Sequence, residues 1–450
     1  MFNKSNDSGE PANLPVLALA AWLVGVLSGL VTALFRLTLQ RADLCRNQLV
    51  AWSHTHAVPG FAVVVVLVAT LAGVAAWIVR RFAPHAGGSG IPHVEAVLNG
   101  HLPPAPFWLL PVKFVGGVLA IGGGLALGRE GPSVQMGASL GALLGRVFQF
   151  NAQDVRAVLA AGAGAGLATA FNAPLAGGLF VLEELMRRFD PRAAITALAA
   201  SAGAITVARV LFGSAPDFTV PALAGPGFGG TWIFIVLGVV VGAAGAGYTR
   251  TILGVLHLAD LVRGWSVTAR AAVIGAGVGA VAWFAPGWVG GGDVLTQATL
   301  SGAVALSVLP WLCLFRFFFG AVSYAAGTPG GIFAPMLVVG AQLGWLFAQA
   351  LPHALQFNMP PAAFAVVGMA AFFTAVVRAP LTGIMLVTEL TGNVSLLLPM
   401  LGASAAAMVV PPLLRTGPIY DALLERTLAL DRIGKSDEAK TVIYGSRTTR

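Results

Sequence analysis

The chain has 450 residues, of which 57% are hydrophobic and only 10% charged, and its formal net charge is +8. Soluble domains carry about 25% charged residues, so this composition excludes a soluble partner-binding module and describes a polytopic protein of the lipid bilayer. The positive balance does not call for a nucleic acid partner, because Arg80-Arg81 and Arg187-Arg188 flank apolar runs, as cytoplasmic anchors do on anionic lipid.

Residues 1–13 are polar and mixed in charge (Lys4, Asp7, Glu10) and read as an N-terminal cytoplasmic segment. The apolar run from Leu14 to Phe35 has no small-residue cleavage site, which predicts a retained first helix rather than a signal peptide. Apolar stretches follow near 60–80, 106–127, 131–149, 155–169, 172–187, 193–213, 231–258, 267–286, 303–323, 332–350, 361–377, 380–391 and 395–414. Some are long enough for a hydrocarbon core about 30 Å thick, whereas the shorter ones enter only part-way. Repeated glycines and prolines interrupt them. Broken helices need partners for their freed backbone groups, so the breaks belong inside the protein or along a wet cavity. Cys45 and Cys313 lie in or beside apolar segments and suggest no disulfide framework. The 30 residues after Tyr420 are polar, too few for a regulatory domain, and read as a helix end followed by a loose tail over 431–450.

The chain repeats itself. Ala173-Pro174-Leu175-Ala176-Gly177 is followed by Glu183, and Ala379-Pro380-Leu381-Thr382-Gly383 by Glu389, each glutamate nine residues after its proline. Gly128 to Pro132, with Gly137-Ala138 and Gly141, matches Gly331 to Pro335, with Gly340-Ala341 and Gly344. The offsets are 206 and 203 residues, which divides the membrane part into a first repeat over 14–215 and a second over 216–430. Gly/Pro-interrupted segments at corresponding positions of two repeats point to a transport site between them. The spacing alone leaves open whether the repeats are parallel or inverted.

From Phe114 to Gly145 the only charged residues are Arg129 and Glu130, in Gly128-Arg129-Glu130-Gly131-Pro132. An ionisable group at membrane depth costs roughly 2.5–3.5 kcal/mol on insertion scales and marks an ion or proton path unless it is structurally paired. The competing reading, a pair between Arg129 and Glu130, is weak because adjacent helical residues do not face each other. Two further segments, Gly88-Ser89-Gly90-Ile91-Pro92 and Gly330-Gly331-Ile332-Phe333-Ala334-Pro335, also precede helix-competent runs. Helices that start there direct unpaired N–H groups and positive dipole ends at one place, an anion site without a full positive charge. Ser89 adds a hydroxyl donor, or a helix cap, and Tyr420 a phenolic donor or an interfacial anchor.

These motifs, in this order, with Phe171-Asn172-Ala173-Pro174 between them and Gly417-Pro418-Ile419-Tyr420 near the end, resemble the CLC family of chloride channels and transporters over about residues 15–430. The resemblance implies an all-α, polytopic fold of two inverted repeats with short, tilted and broken helices. It also implies a homodimer with one pore per subunit. It gives Ser89, Tyr420 and the amides of Ile332 and Phe333 to a central chloride. Glu130 becomes the external gating glutamate and Glu184 the inner glutamate that hands protons to the cytoplasmic side. Lys113 and Glu95 match a charged pair near the pore, read as structural.

Several residues keep a second reading. Glu183 and Glu184 precede Arg187 and Arg188 by three or four positions, so a helix-end ion pair competes with proton transfer; Glu183 is read as either a pathway-lining or a structural charge, and Glu389 as structurally paired or at a subunit contact. Gly162 to Gly166 mimics a nucleotide fingerprint without strand context, and alternating small residues favour close helix packing instead. The seven histidines form no set at ligand spacing, so neither metal nor cofactor is expected. An intramembrane enzyme built on Glu130 lacks a nucleophile and a polar partner cluster. The expectation is a secondary active exchanger of chloride against protons, with a passive voltage- or pH-gated chloride channel of the same fold as the alternative. An acid at 184 favours exchange, and the serine of Gly88-Ser89-Gly90 resembles chloride-selective members. The lack of a paired cytoplasmic regulatory domain favours a prokaryotic member in the cell (inner) membrane.

Overall fold

The computed structural model describes residues 11–429 and 432, apart from 222, 224, 228, 229 and 263. Most of the two expected terminal segments therefore lies outside the described residues. The first half contains α1 (Leu14–Ser53), α2 (Ala57–Phe82), α3 (Ile91–Leu98), α4 (Leu109–Gly122), α5 (Glu130–Val147), α6 (Ala152–Phe171), α7 (Pro174–Phe180) and α8 (Pro191–Phe212), and α7 runs into a π turn over Val181–Leu185. The second half contains α9 (Thr231–Leu261), α10 (Val267–Phe284), α11 (Asp293–Leu300), α12 (Leu309–Tyr324), α13 (Phe333–Ala350), α14 (Pro361–Val377), α15 (Pro380–Thr391) and α16 (Leu397–Leu413). A last helix, α17, covers 419–429. Among the described residues the only β pairing is two isolated bridges, so the fold is all-α.

Local sequence explains where the helices begin. Proline occupies the first turn of α3, α7 and α15, where its missing N–H is no loss. Asn151, Asp190 and Ser266 cap α6, α8 and α10 by accepting from the N–H three residues on. By length and composition, α1, α2, α8, α9, α10 and α13 can cross a membrane. The eight-residue α3 and α11 cannot, since each is only about 12 Å long. The molecule is a multi-pass membrane protein.

Helix for helix, α1–α8 and α9–α16 are the same series. The packing repeats with them: α1 on α8 and α5 on α6 in the first half, α9 on α16 and α13 on α14 in the second. α6 and α14 are almost wholly buried and form the centre of each half. A side chain on Gly137 would strike the Gly162 backbone, and one on its counterpart Gly340 would strike Gly368. Small residues here bring backbones into contact.

The hand of the repeat is read from contacts between counterparts. α2 packs on α10 and α7 on α15. Glu183, at the end of the α7 segment, accepts from the first amides of α15, Leu381 N at 3.0 Å and Thr382 N at 2.7 Å. Glu389, at the end of α15, accepts from the first amides of α7, Leu175 N at 3.1 Å and Ala176 N at 2.8 Å. Each helix end thus meets the start of its counterpart, so the two run antiparallel about a pseudo-two-fold axis and the repeats are inverted. Of the two roles open to Glu183, it takes the structural one, capping a helix of the other half, and Glu389 caps its counterpart in the same way.

Candidate anion site

Near the same axis the helix breaks converge. Gly128 N donates to Gly331 O at 2.8 Å and Gly331 N to Gly128 O at 2.7 Å, so a residue pairs with its own repeat counterpart. Gly88 N donates to Thr328 O at 3.0 Å, and Gly330 N to Gly88 O at 3.1 Å. These four bonds lace the loops before α3, α5 and α13 together. Gly90 is left-handed (φ 87°), and a Cβ there would strike the Gln135 side chain, so Ile91 and Pro92 begin α3 only after a glycine. The first amides of α5 and α13, including those of Ile332 and Phe333, have no intrahelical acceptor and sit at positive dipole ends.

Ser89 is 1% exposed and Tyr420 fully buried, and neither hydroxyl has a hydrogen-bond partner among the described residues. Other buried hydroxyls, such as those of Ser28 and Ser404, also lack partners; what suits these two to an anion is their place beside helix N-termini. A Cβ on Gly131 would meet Ser89 Oγ, which places the serine against the first turn of α5. The Tyr420 ring lies over Phe333, with centroids 6.0 Å apart. Glu130 is completely buried; its carboxylate turns back onto Gly128 and Gly331, and neither oxygen has a hydrogen-bond partner among the described residues. It lies at the start of α5 and against the start of α13 together.

Arg129 does not pair with Glu130. Its Nε donates to Ala170 O at 3.0 Å, one terminal nitrogen to Asp293 at 2.7 Å and the other to Asp217 at 3.4 Å. Nor do Lys113 and Glu95 form the expected pair. Lys113, fully buried, donates to Ala86 O at 2.9 Å and Gly88 O at 2.8 Å. Its second-half counterpart Arg316 donates to the carbonyls of Trp288, Gly290 and Gly291 at 3.0–3.1 Å. The reason is shared: the chain before each eight-residue helix departs from α-helix, through a short 3-10 turn and a glycine loop, and presents buried carbonyls whose acceptor capacity its own turn does not fill. Glu95 instead lies beside Glu184, both buried, in a cluster with Arg187 and Asp421. Arg187 pairs with Asp421 and stands 3.9 Å from Glu184, so the helix-end ion pair considered for Glu184 is present in a loose form.

The family model of the voltage gated chloride channel matches residues 71–411, about three quarters of the chain. The protein belongs to the CLC family. It is 36% identical to the H(+)/Cl(-) exchange transporter ClcA of Vibrio parahaemolyticus over 435 residues, covering 94% of this chain and 92% of that protein. With the protein of the same name from Salmonella typhi it is 37% identical over 425 residues, covering 92% and 89%. Among solved structures, a slow cyanobacterial Cl-/H+ antiporter superposes with a TM-score of 0.88 at 33% identity, covering 93% of this chain and 99% of the other. A eukaryotic CLC transporter shares the fold at TM-score 0.77 and 23% identity, covering 91% and 73%.

In this CLC chain the three glycine motifs, Ser89, Glu130 and Tyr420 come together, while Glu184 and Glu95 form a second cluster on the Arg187 side. Sequence reading missed the supports. Tyr324 accepts from Ser89 N at 3.2 Å, and Ser323 Oγ from Ala126 N at 3.0 Å. Both lie at the C-terminal end of an apolar helix, where nothing in the residue pattern sets them apart. Arg316 was detectable, since it stands 203 residues after Lys113, the offset of the glycine motifs.

Proposed function

We propose that this protein is a secondary active antiporter exchanging chloride for protons, a homodimer in the cell (inner) membrane with one pore per subunit, and not an enzyme. One observation carries the reading. The Glu130 carboxylate rests at the helix N-termini that Ser89 and Tyr420 also face, so an ionised side chain occupies the place of an anion. Chloride and the carboxylate carry like charge and cannot share that place. Protonation removes the attraction of the amides for Glu130, and the site passes to chloride. The same residue then gates the anion and carries the proton.

Protons reach the site from the inside through Glu184. Glu95 beside it offers a second carboxyl within proton-transfer reach, and Arg187, 53% exposed, opens that cluster to water. Arg187 and Arg188 mark the cytoplasmic side by the positive-inside rule. The relatives named H(+)/Cl(-) exchange transporter support exchange over a passive channel. The test is reconstitution into liposomes: an imposed chloride gradient drives proton movement with no initial pH difference. Chloride leak without proton flux overturns the exchanger reading. Competition among chloride, nitrate and fluoride in the same assay tests the anion preference expected from Ser89, with chloride favoured.

A further inference from the structure

Beside the gate stands a charged cluster that the exchange mechanism does not use. Asp217 lies in the connection between the two halves and binds Arg36 of α1 at 2.8 Å as well as Arg129. Asp293, the first residue of α11, binds Arg129 from the other side at 2.7 Å. The connection is itself pinned: Phe218 N donates to Leu390 O at 2.9 Å, and Thr219 exchanges two 2.9 Å bonds with the Gln297 side chain. Arg36 is further held over the Phe212 ring at 4.4 Å. The neighbouring Asp43 and Arg46 of α1 pair with each other at 2.6 Å. Two arginines and two aspartates therefore balance one residue away from Glu130, and all three nitrogens of the Arg129 guanidinium are engaged away from the gate.

We propose that Asp217 and Asp293 are positioning residues of the gate: they hold Arg129 off the Glu130 carboxylate and cancel its charge, so that proton and chloride alone decide where that carboxylate sits. The inference rests on the reading of Glu130 as the gate. Without the two aspartates, a guanidinium joined to the same turn of α5 is left uncompensated. An opposite charge within about 4–6 Å favours an ionised carboxylate, and an ionised Glu130 keeps chloride out. The cluster joins α1, α5, the connection and α11, so it also ties the gate to both repeats.

The experiment is a double-mutant cycle on reconstituted full-length protein, with flux counted per active transporter. Asp217→Asn with Asp293→Asn lowers chloride flux roughly tenfold, the low end of the charge effect expected at such range, and lowers it less than twofold in a Glu130→Gln background. Such non-additivity is what two groups acting through one residue produce. Asp293→Glu, which keeps the charge, stays within twofold of the native protein. An equal loss in both backgrounds, or loss in Asp293→Glu as large as in Asp293→Asn, overturns the proposal and leaves the aspartates as structural. Failure of the gate reading shows separately, as intact proton coupling in Glu130→Gln alone.

Discussion

Glu130 and Glu184 carry the two ends of the proposed proton route, and they differ in what their replacement leaves behind. Glu130→Gln keeps the shape of the side chain and removes its charge. The amides at the starts of α5 and α13 then no longer hold an anion of the protein's own, so chloride flux persists while proton movement disappears. Glu184→Gln has no part in the anion site, so it also abolishes proton movement but leaves chloride flux controlled by Glu130. Paired chloride and pH electrodes on liposomes separate the two, and proton flux above one tenth of the native value in either variant moves the route elsewhere. At this scale the burial of Glu130 was legible, because only Arg129 and Glu130 carry charge in a long apolar stretch. The sequence misled where charges had several possible mates. Lys113 and Glu95 look like a pair because the residue pattern displays charges but not carbonyls. The groups that capture Lys113, Ala86 O and Gly88 O, are freed only by the backbone's departure from helix.

Helix breaks come with fixed costs, and the two halves meet them in the same way. Before α3 a buried lysine donates to the carbonyls of the break, and before α11 a buried arginine does so. Each unsatisfied buried carbonyl costs about 1–3 kcal/mol, partly offset by no longer burying a cation. Lys113→Met and Arg316→Met should each destabilise the protein by about 2 kcal/mol, read as a lower melting temperature in detergent, with the ratio of chloride to protons unchanged. A changed ratio at native stability would instead place Lys113 on the transport path. The long apolar helices were legible from composition and the start of α3 from its Gly88–Pro92 motif, but α11 was not expected, because eight residues give no periodic signal. Glycines in left-handed geometry before them, Gly90 and Gly292, are the surviving trace. α1 runs to Ser53, well beyond its apolar stretch, because a helix continues past the hydrocarbon as long as nothing breaks it.

Two halves of opposite direction give the molecule a site that neither half owns. Gly128 and Gly331 pair across the axis, and Glu183 and Glu389 cap each other's helices there. The offsets of 203 and 206 residues revealed the repeat; the inversion became legible only from these reciprocal contacts, since sequence order is the same for either hand. Every group proposed to touch chloride or the proton comes from one chain: Ser89, Glu95, Glu130 and Glu184 from the first half, and Ile332, Phe333 and Tyr420 from the second. A site complete within one chain needs nothing from a partner, so the proposed homodimer would hold two independent pores. Mixed dimers that carry Glu130→Gln in one subunit therefore retain half the proton flux of the native dimer, and flux falls linearly with the fraction of altered subunits. The measurement uses purified, differently tagged heterodimers in liposomes at one dimer per vesicle. A quadratic fall, with mixed dimers nearly inactive in proton transport, would mean that the gates of the two subunits move together.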